Sequence, residues 1–149
     1  MLSYEKVFSR ARGRITDPKE MSLHKDDLIE IYTERLHSVV GNPRVRRLFS
    51  SIVLNDELQN IKFTLKNSVD EQSDTDFIIE LLSLGMVIAW LEPQVDSIKH
   101  NSIMLGTKEE KKILDNHKNM IERLDTLQNQ LQKMIRDYGC MYNSYVNGD

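Results

Sequence analysis

Hydrophobic residues recur at helical spacing from the start of the chain. Positions three and four residues apart share one face of a helix, so we expect a first helix over residues 4–14. The apolar residues on its common face are Tyr4, Val7, Phe8, Ala11 and Ile15. Pro18 ends this pattern, because a proline disfavours helical backbone in the residue before it.

The same spacing predicts a second helix from Lys25 to Val40, followed by Gly41 as a C-terminal stop. Its inward positions are Leu28, Ile31, Tyr32, Leu36 and Val39. Pro43 suits the first position of a short third helix. We expect Val45, Leu48 and Phe49 to anchor that helix.

Residues 58–68 have a different period. Ile61, Phe63 and Leu65 alternate with polar residues, as in a strand with one buried face. No other segment is an obvious partner strand, so such a strand would pair with a neighbouring subunit or form an extended arm. The alternative is helix or loop, and residues 58–75 are therefore interpreted as an extended arm or loop.

A helix from Asp76 to Leu91, capped by Ser73 or Asp74, is apolar nearly all round. Such a helix belongs at the centre of a core. Gly85 inside it predicts close packing by another helix, because glycine there otherwise costs about 1 kcal/mol relative to alanine. Pro93 is expected to end or kink the helix.

The last predicted helix runs from a capping box, Thr107 to Glu110, to a stop at Gly139. Its heptad seam is Ile113, His117, Met120, Leu124, Leu127, Leu131, Met134 and Tyr138. At 1.5 Å per residue the helix would be about 46 Å long. We expect an antiparallel partner within the chain and a core position for His117. An intermolecular coiled coil is the alternative.

These elements predict one all-α (mainly α) domain over residues 1–149. It is a helical bundle with one long C-terminal helix, an extended or β arm near residues 58–68, and a C-terminal tail at residues 140–149. Cys140 is the only cysteine, so no intrachain disulfide can form. No eighteen-residue apolar run and no leader pattern occur, which predicts a protein without a membrane segment, made in a reducing cytoplasm.

The sequence lacks the residue patterns of common catalytic and metal sites. The four histidines lie far apart, with no second histidine or cysteine at ligand spacing. The six glycines are scattered singly, which disfavours a phosphate-binding loop. No glycine-flanked serine elbow is present. We therefore expect a non-enzymatic protein with no cofactor, no metal and no small-molecule substrate.

Charge divides the chain unevenly. The formal net charge is -3, which argues against a general nucleic-acid binder, but the first fifty residues are net basic and the remainder net acidic. The basic cluster is Arg10, Arg12, Arg14, Arg44, Arg46 and Arg47. It is either a solvated helix face or a patch that faces an acidic protein surface or nucleic acid.

Five stretches of the chain form a distinctive set: residues 45–51 (VRRLFSS), 63–71 (FTLKNSVDE), 85–95 (GMVIAWLEPQV), 133–138 (KMIRDY) and 142–145 (YNSY). Together they resemble a family of small proteins encoded in the structural-gene modules of tailed phages of Gram-positive bacteria. The resemblance covers nearly the whole chain. Within such modules, a helical protein of this size most resembles a head–tail connector or adaptor.

The resemblance implies a virion protein that forms a homo-oligomeric ring, twelvefold as is usual for such proteins, in the phage neck between portal and tail. Its partners would be the portal protein and other neck or tail proteins. The acidic balance of residues 51–149 would let passing DNA slide through the channel without specific binding. Adaptors grip a neighbour with an arm or tail. The expected interface residues are Ile61, Phe63, Leu65, Tyr138, Met141, Tyr142, Tyr145 and Val146.

Two other functions fit the sequence. One is a different virion component, namely a tail, tail-completion or baseplate protein. The other is a small helical regulator that binds DNA through Arg44, Arg46 and Arg47. That regulator predicts salt-dependent DNA affinity, and the net charge and the lack of a clear helix-turn-helix count against it.

Overall fold

The computed structural model describes residues 1–15, 17–103 and 106–141, with side chains described as far as residue 138. The strands are β1 (Leu2–Ser3), β2 (Phe49–Asn55) and β3 (Asn60–Leu65). The helices are α1 (Tyr4–Arg12), α2 (Pro18–Met21), α3 (Lys25–Val40), α4 (Pro43–Arg46), α5 (Glu71–Ile103), α6 (Thr107–Asn116) and α7 (Lys118–Met141). The mainly-α fold class is confirmed.

The first helices begin and end at residues that satisfy their terminal backbone groups. The Ser3 side chain accepts a hydrogen bond from the Glu5 amide at the start of α1, and Asn42 accepts from the Arg44 amide at the start of α4. Gly41 follows α3, as predicted. The short helix α2 was not predicted; Asp17 caps it and Pro18 occupies its first position.

The alternating segment is a strand, and its partners lie in the same chain. The sheet is antiparallel with strand order β1-β3-β2, so β3 is its central strand. The prediction that this segment lacks a partner strand in its own chain, and would therefore be an extended arm, is wrong. The sequence pattern did not predict β2, because a register shift between Phe49 and Ser51 interrupts the alternation of buried and exposed residues.

Helix α5 is the centre of the core, as predicted, but it is longer than predicted at both ends. It passes through Pro93, which removes one helical hydrogen bond at a cost of about 3 kcal/mol. Leu91 and Val95 are buried on either side of the proline. Burial of these and the neighbouring apolar side chains compensates for the lost hydrogen bond and keeps the helix continuous.

By length and composition alone, α5 could cross a membrane. The same properties are typical of the central helix of a helical domain, and 67% of its most apolar window is buried against the rest of the chain. Its glycine shows how closely it is covered. A β-carbon at Gly85 would lie 2.6 Å from the Val39 Cγ1 atom of α3, which confirms the predicted close packing.

The C-terminal helices return antiparallel along α5. Tyr138 of α7 stacks on Phe77 near the start of α5, at 5.1 Å between ring centroids. Arg123 of α7 lies over the ring of Trp90, further along α5. The seam residues Leu124 and Leu127 are buried within the chain. The predicted antiparallel partner is therefore confirmed.

Three details of the last helix were predicted wrongly. The chain turns at His117, which is exposed and separates α6 from α7. No residue of α6 is buried, so packing there does not enforce one straight helix. The N-cap is Gly106 and makes no side-chain capping bond, so Thr107 forms no capping box. Helix α7 also continues past Gly139.

Candidate interaction surfaces

In the part of the chain that the structure describes, no strand pairs with the outer edge of β2. Within the described part of the chain, β2 pairs only with β3 and lies at one side of the sheet. Its sequence, FSSIVLN, contains no charged residue and no proline. Val53, in the middle of the strand, is 61% exposed.

Natural proteins usually protect an edge strand, because its unpaired N–H and C=O groups can pair with another chain. Charged side chains and proline are common protective devices, and β2 has neither. The register shift protects only its first residues. Residues 51–55 therefore form an uncharged edge that suits addition of another strand.

A second surface is a cleft between α4 and α7, which we call the arginine cleft. Its volume is about 370 Å³. Its lining residues are Arg44, Arg47, Leu48, Gln132, Ile135 and Arg136. Buried Val45 fixes α4 against the core, so that Arg44 and Arg47 are held opposite the C-terminal helix. The sequence pattern had identified the first two arginines but not Arg136.

The other arginines of the predicted basic cluster lie elsewhere. Arg10 and Arg14 of α1 form ion pairs with Glu80 of α5, at 2.6 and 2.9 Å. Arg12 is 3.7 Å from Glu5 on its own helix. Arg46 donates to the backbone carbonyl of Phe49 at 3.2 Å. These four side chains contact groups of their own chain.

The predicted interface residues that the structure describes pack inside the chain. Ile61 and Leu65 are buried core residues. Phe63 is half-buried and contacts Phe49 edge to face, at 6.1 Å between centroids. Tyr138 is buried, and its hydroxyl accepts a hydrogen bond from the Asn67 amide at 2.7 Å.

These in-chain contacts remove the original reason for assigning the described residues to an interface. The side chain of Met141, together with residues Tyr142, Tyr145 and Val146, lies outside the described residues. Their interface role stays a prediction.

One polar cluster was not foreseen. Asp56, in the turn between β2 and β3, accepts hydrogen bonds from the Tyr4 hydroxyl at 2.6 Å and from His37 Nε2 at 2.8 Å. The hydrogen bond from Tyr4, followed by that from His37, lowers the pKa of Asp56. Burial, together with the nearby carboxylate, raises the pKa of Tyr4. The cluster ties α1, α3 and the hairpin together.

Another cleft, of about 550 Å³, lies between α2, α5 and α7. The Trp90 indole N–H donates to Asp17 at 3.2 Å, and this bond lowers the pKa of Asp17. Arg123 lies 5.9 Å from the centre of the Trp90 ring and donates to the Arg14 carbonyl at 2.7 Å. The first contact holds the start of α2 against α5, and the last holds the segment after α1 against α7.

Among residues 1–15, 17–103 and 106–138, whose side chains the structure describes, no group of three or more His, Cys, Asp or Glu is placed to hold a metal ion. Comparisons with protein-family models, with curated proteins and with solved structures found no match for this chain.

Proposed function

We propose that this chain is a non-enzymatic assembly protein whose copies join through the open edge of β2. The observation that carries the proposal is the uncharged, proline-free edge with the exposed Val53 at its centre. Each backbone hydrogen bond added at this edge would contribute about 0.5–1.5 kcal/mol net. Burial of Val53 would add to that stabilisation.

The geometry of the sheet allows a ring. At the opposite side, β1 covers β3 only at Asn60 and Ile61. Pairing of the β2 edge of one copy with residues 62–65 of β3 in the next would be a head-to-tail contact. A self-complementary β2–β2 contact would instead give a closed dimer.

The place of this assembly is proposed from the sequence resemblance. The chain would act as a head–tail connector, a ring in the neck of a phage virion between portal and tail. The portal protein and the neck or tail proteins would be its neighbours. The alternative within the same class is a tail, tail-completion or baseplate component. A connector binds the portal protein, whereas a tail component does not.

The first test is the mass of the purified chain in solution, alone and with the portal protein of the same gene module, by light scattering and native mass spectrometry. We expect a ring, either of the chain alone or formed only on the portal. A monomer that ignores the portal would contradict the connector proposal. A stable dimer would support the β2 edge but contradict the ring.

The edge itself is tested by Val53→Lys, which places a charge at the middle of β2. Its matched control is Val69→Lys, since Val69 is 68% exposed but lies off the sheet, before α5. Val53→Lys should abolish or strongly reduce assembly, while Val69→Lys should assemble normally. Val69→Lys should unfold at the wild-type temperature, and Val53→Lys at the temperature of the wild-type chain diluted until it no longer assembles. Normal assembly by Val53→Lys would refute the role of the β2 edge.

A further inference from the structure

We propose that the arginine cleft binds a phosphate group carried by a nucleotide or a nucleic-acid strand. Arg44 of α4 and Arg47, which follows α4, line one side of the cleft, and Arg136 lines the other side from α7. Within the described part of the chain, none of these three arginines has a carboxylate oxygen within 4.0 Å. Three arginines therefore line one small volume on a chain whose net charge is -3.

The number of arginines favours phosphate over carboxylate. A guanidinium group presents five N–H donors in a planar fork, and one fork satisfies the two oxygens of a carboxylate. A terminal phosphate, as on a nucleotide or at the end of a strand, presents three acceptor oxygens and a charge between -1.5 and -2. It can therefore accept hydrogen bonds from forks that approach from two sides. The amide of Gln132 adds one further donor at the same cleft.

The floor of the cleft is apolar. Leu48 is buried and Ile135 is half-buried, and both line the cleft beneath the arginines. A volume of about 370 Å³ lies at the small end of the range for ligand sites. A nucleotide unit combines the two required features, because its sugar and base can contact the apolar floor while its phosphate contacts the arginines.

The test measures binding of an oligothymidine strand with a 5′-phosphate and a 3′ fluorescent label, by anisotropy at several salt concentrations. The variants are Arg47→Gln and Arg136→Gln, and the matched control is Arg12→Gln. Arg12 is an exposed arginine outside the cleft, so its replacement makes the same change in net charge. Thermal unfolding of each variant checks that the fold is retained.

Each cleft variant should weaken binding about tenfold, as expected for loss of one charged hydrogen-bonding contact. The slope of log affinity against log salt should become shallower by about 0.7 for each arginine removed, the value for single strands. Arg12→Gln should bind like the wild type. Equal losses for all three variants, or no measurable binding at low salt, would overturn the proposal.

Competition identifies the source of the phosphate. Displacement of the strand by ATP or inorganic phosphate at comparable concentrations of phosphate groups would support a mononucleotide site. Displacement only by unlabelled strand would support a nucleic-acid site. A polyglutamate peptide that competes as well as the phosphate probes, charge for charge, would overturn the proposal in favour of an acidic protein segment. These results do not depend on whether the chain forms a ring.

Discussion

Replacement of Gly85 by alanine is a direct test of the packing between α3 and α5. The added β-carbon would lie 2.6 Å from one Val39 γ-carbon and 2.9 Å from the other. Both distances are far shorter than an ordinary contact between carbon atoms, about 3.5–4.0 Å. Valine is branched at its β-carbon and has one preferred rotamer in a helix, so it cannot easily turn away.

Two opposing effects set the change in unfolding free energy. Overpacking of a well-packed core costs about 1–3 kcal/mol, and the double clash with a stiff side chain places this site in the upper half of that range. Alanine is favoured over glycine inside a helix by about 1 kcal/mol. We therefore expect Gly85→Ala to lower the free energy of unfolding by about 1–2 kcal/mol, against the intrinsic helix preference.

Urea denaturation followed by circular dichroism measures this change, and Val39→Ala isolates its cause. Val39→Ala alone should be destabilising because it leaves a cavity. In the double variant the new methyl group occupies part of that cavity, so the combined loss should be smaller than the sum by about 1–3 kcal/mol. A Gly85→Ala protein as stable as the wild type, or strictly additive losses, would refute the close approach of the two helices.

Three further substitutions test single contacts. Tyr138→Phe removes the hydroxyl that accepts from the Asn67 amide, and should lower the unfolding free energy by about 0.5–1.5 kcal/mol in urea denaturation; an unchanged midpoint would contradict that bond. Glu20→Gln breaks a nearly buried bidentate ion pair with Arg35 and should lower the unfolding free energy by about 1.5–3 kcal/mol in the same assay. A decrease below about 0.5 kcal/mol, the size expected for an exposed ion pair, would contradict a buried pair. The pKa of Asp56 is lowered in the fold, so its stabilising contribution is present above the unfolded-state pKa of about 3.9 and is lost as the pH falls through the folded pKa. The stability difference between wild type and Asp56→Asn should therefore shrink below about pH 4 in acid-titrated thermal melts, and a difference that grows there would contradict this sign.

The elements that the sequence predicts well are those whose signal is local. Helix α3 has the predicted bounds, Lys25 to Val40, because a regular apolar stripe and a terminal glycine lie within one short segment. Gly85 also carried a usable signal, since a glycine in a strongly apolar helix requires a packing reason. In each case the sequence signal lies within one stretch of residues.

The errors arise where distant contacts decide the local structure. Pro93 predicts a helix end, but core burial on both sides keeps α5 intact. His117 fits a heptad position, but the helix turns there because α6 contributes no buried residue. Strand β2 is defined by its pairing with β3 and by a bulge, neither of which is visible as a simple period.

The same limit applies to the candidate surfaces. The predicted cluster of six arginines follows from their proximity in sequence, yet Arg10 and Arg14 are engaged by Glu80, which lies more than sixty residues away in the chain. Conversely, Arg136 joins Arg44 and Arg47 only because α7 returns along the core. The charge pattern in the sequence therefore predicts free arginines on α1 that are in fact paired, and it misses Arg136, one of the three arginines of the cleft.

The two proposed surfaces are joined by one stretch of backbone. Leu48 lines the arginine cleft, and its carbonyl accepts a hydrogen bond from the Lys66 amide at 3.0 Å, immediately beyond the end of β3. The next residue, Phe49, begins β2. An anion held by Arg47 and a strand added to β2 would therefore act on adjacent residues of the same segment. Coupling between two binding sites is reciprocal. If a bound phosphate ligand changes the affinity of one copy for the next, then assembly changes the affinity for that ligand by the same factor. Comparing the oligothymidine affinity of Val53→Lys with that of assembled Val69→Lys, which carries the same added charge, would quantify this coupling. Equal affinities would show that the two surfaces act independently.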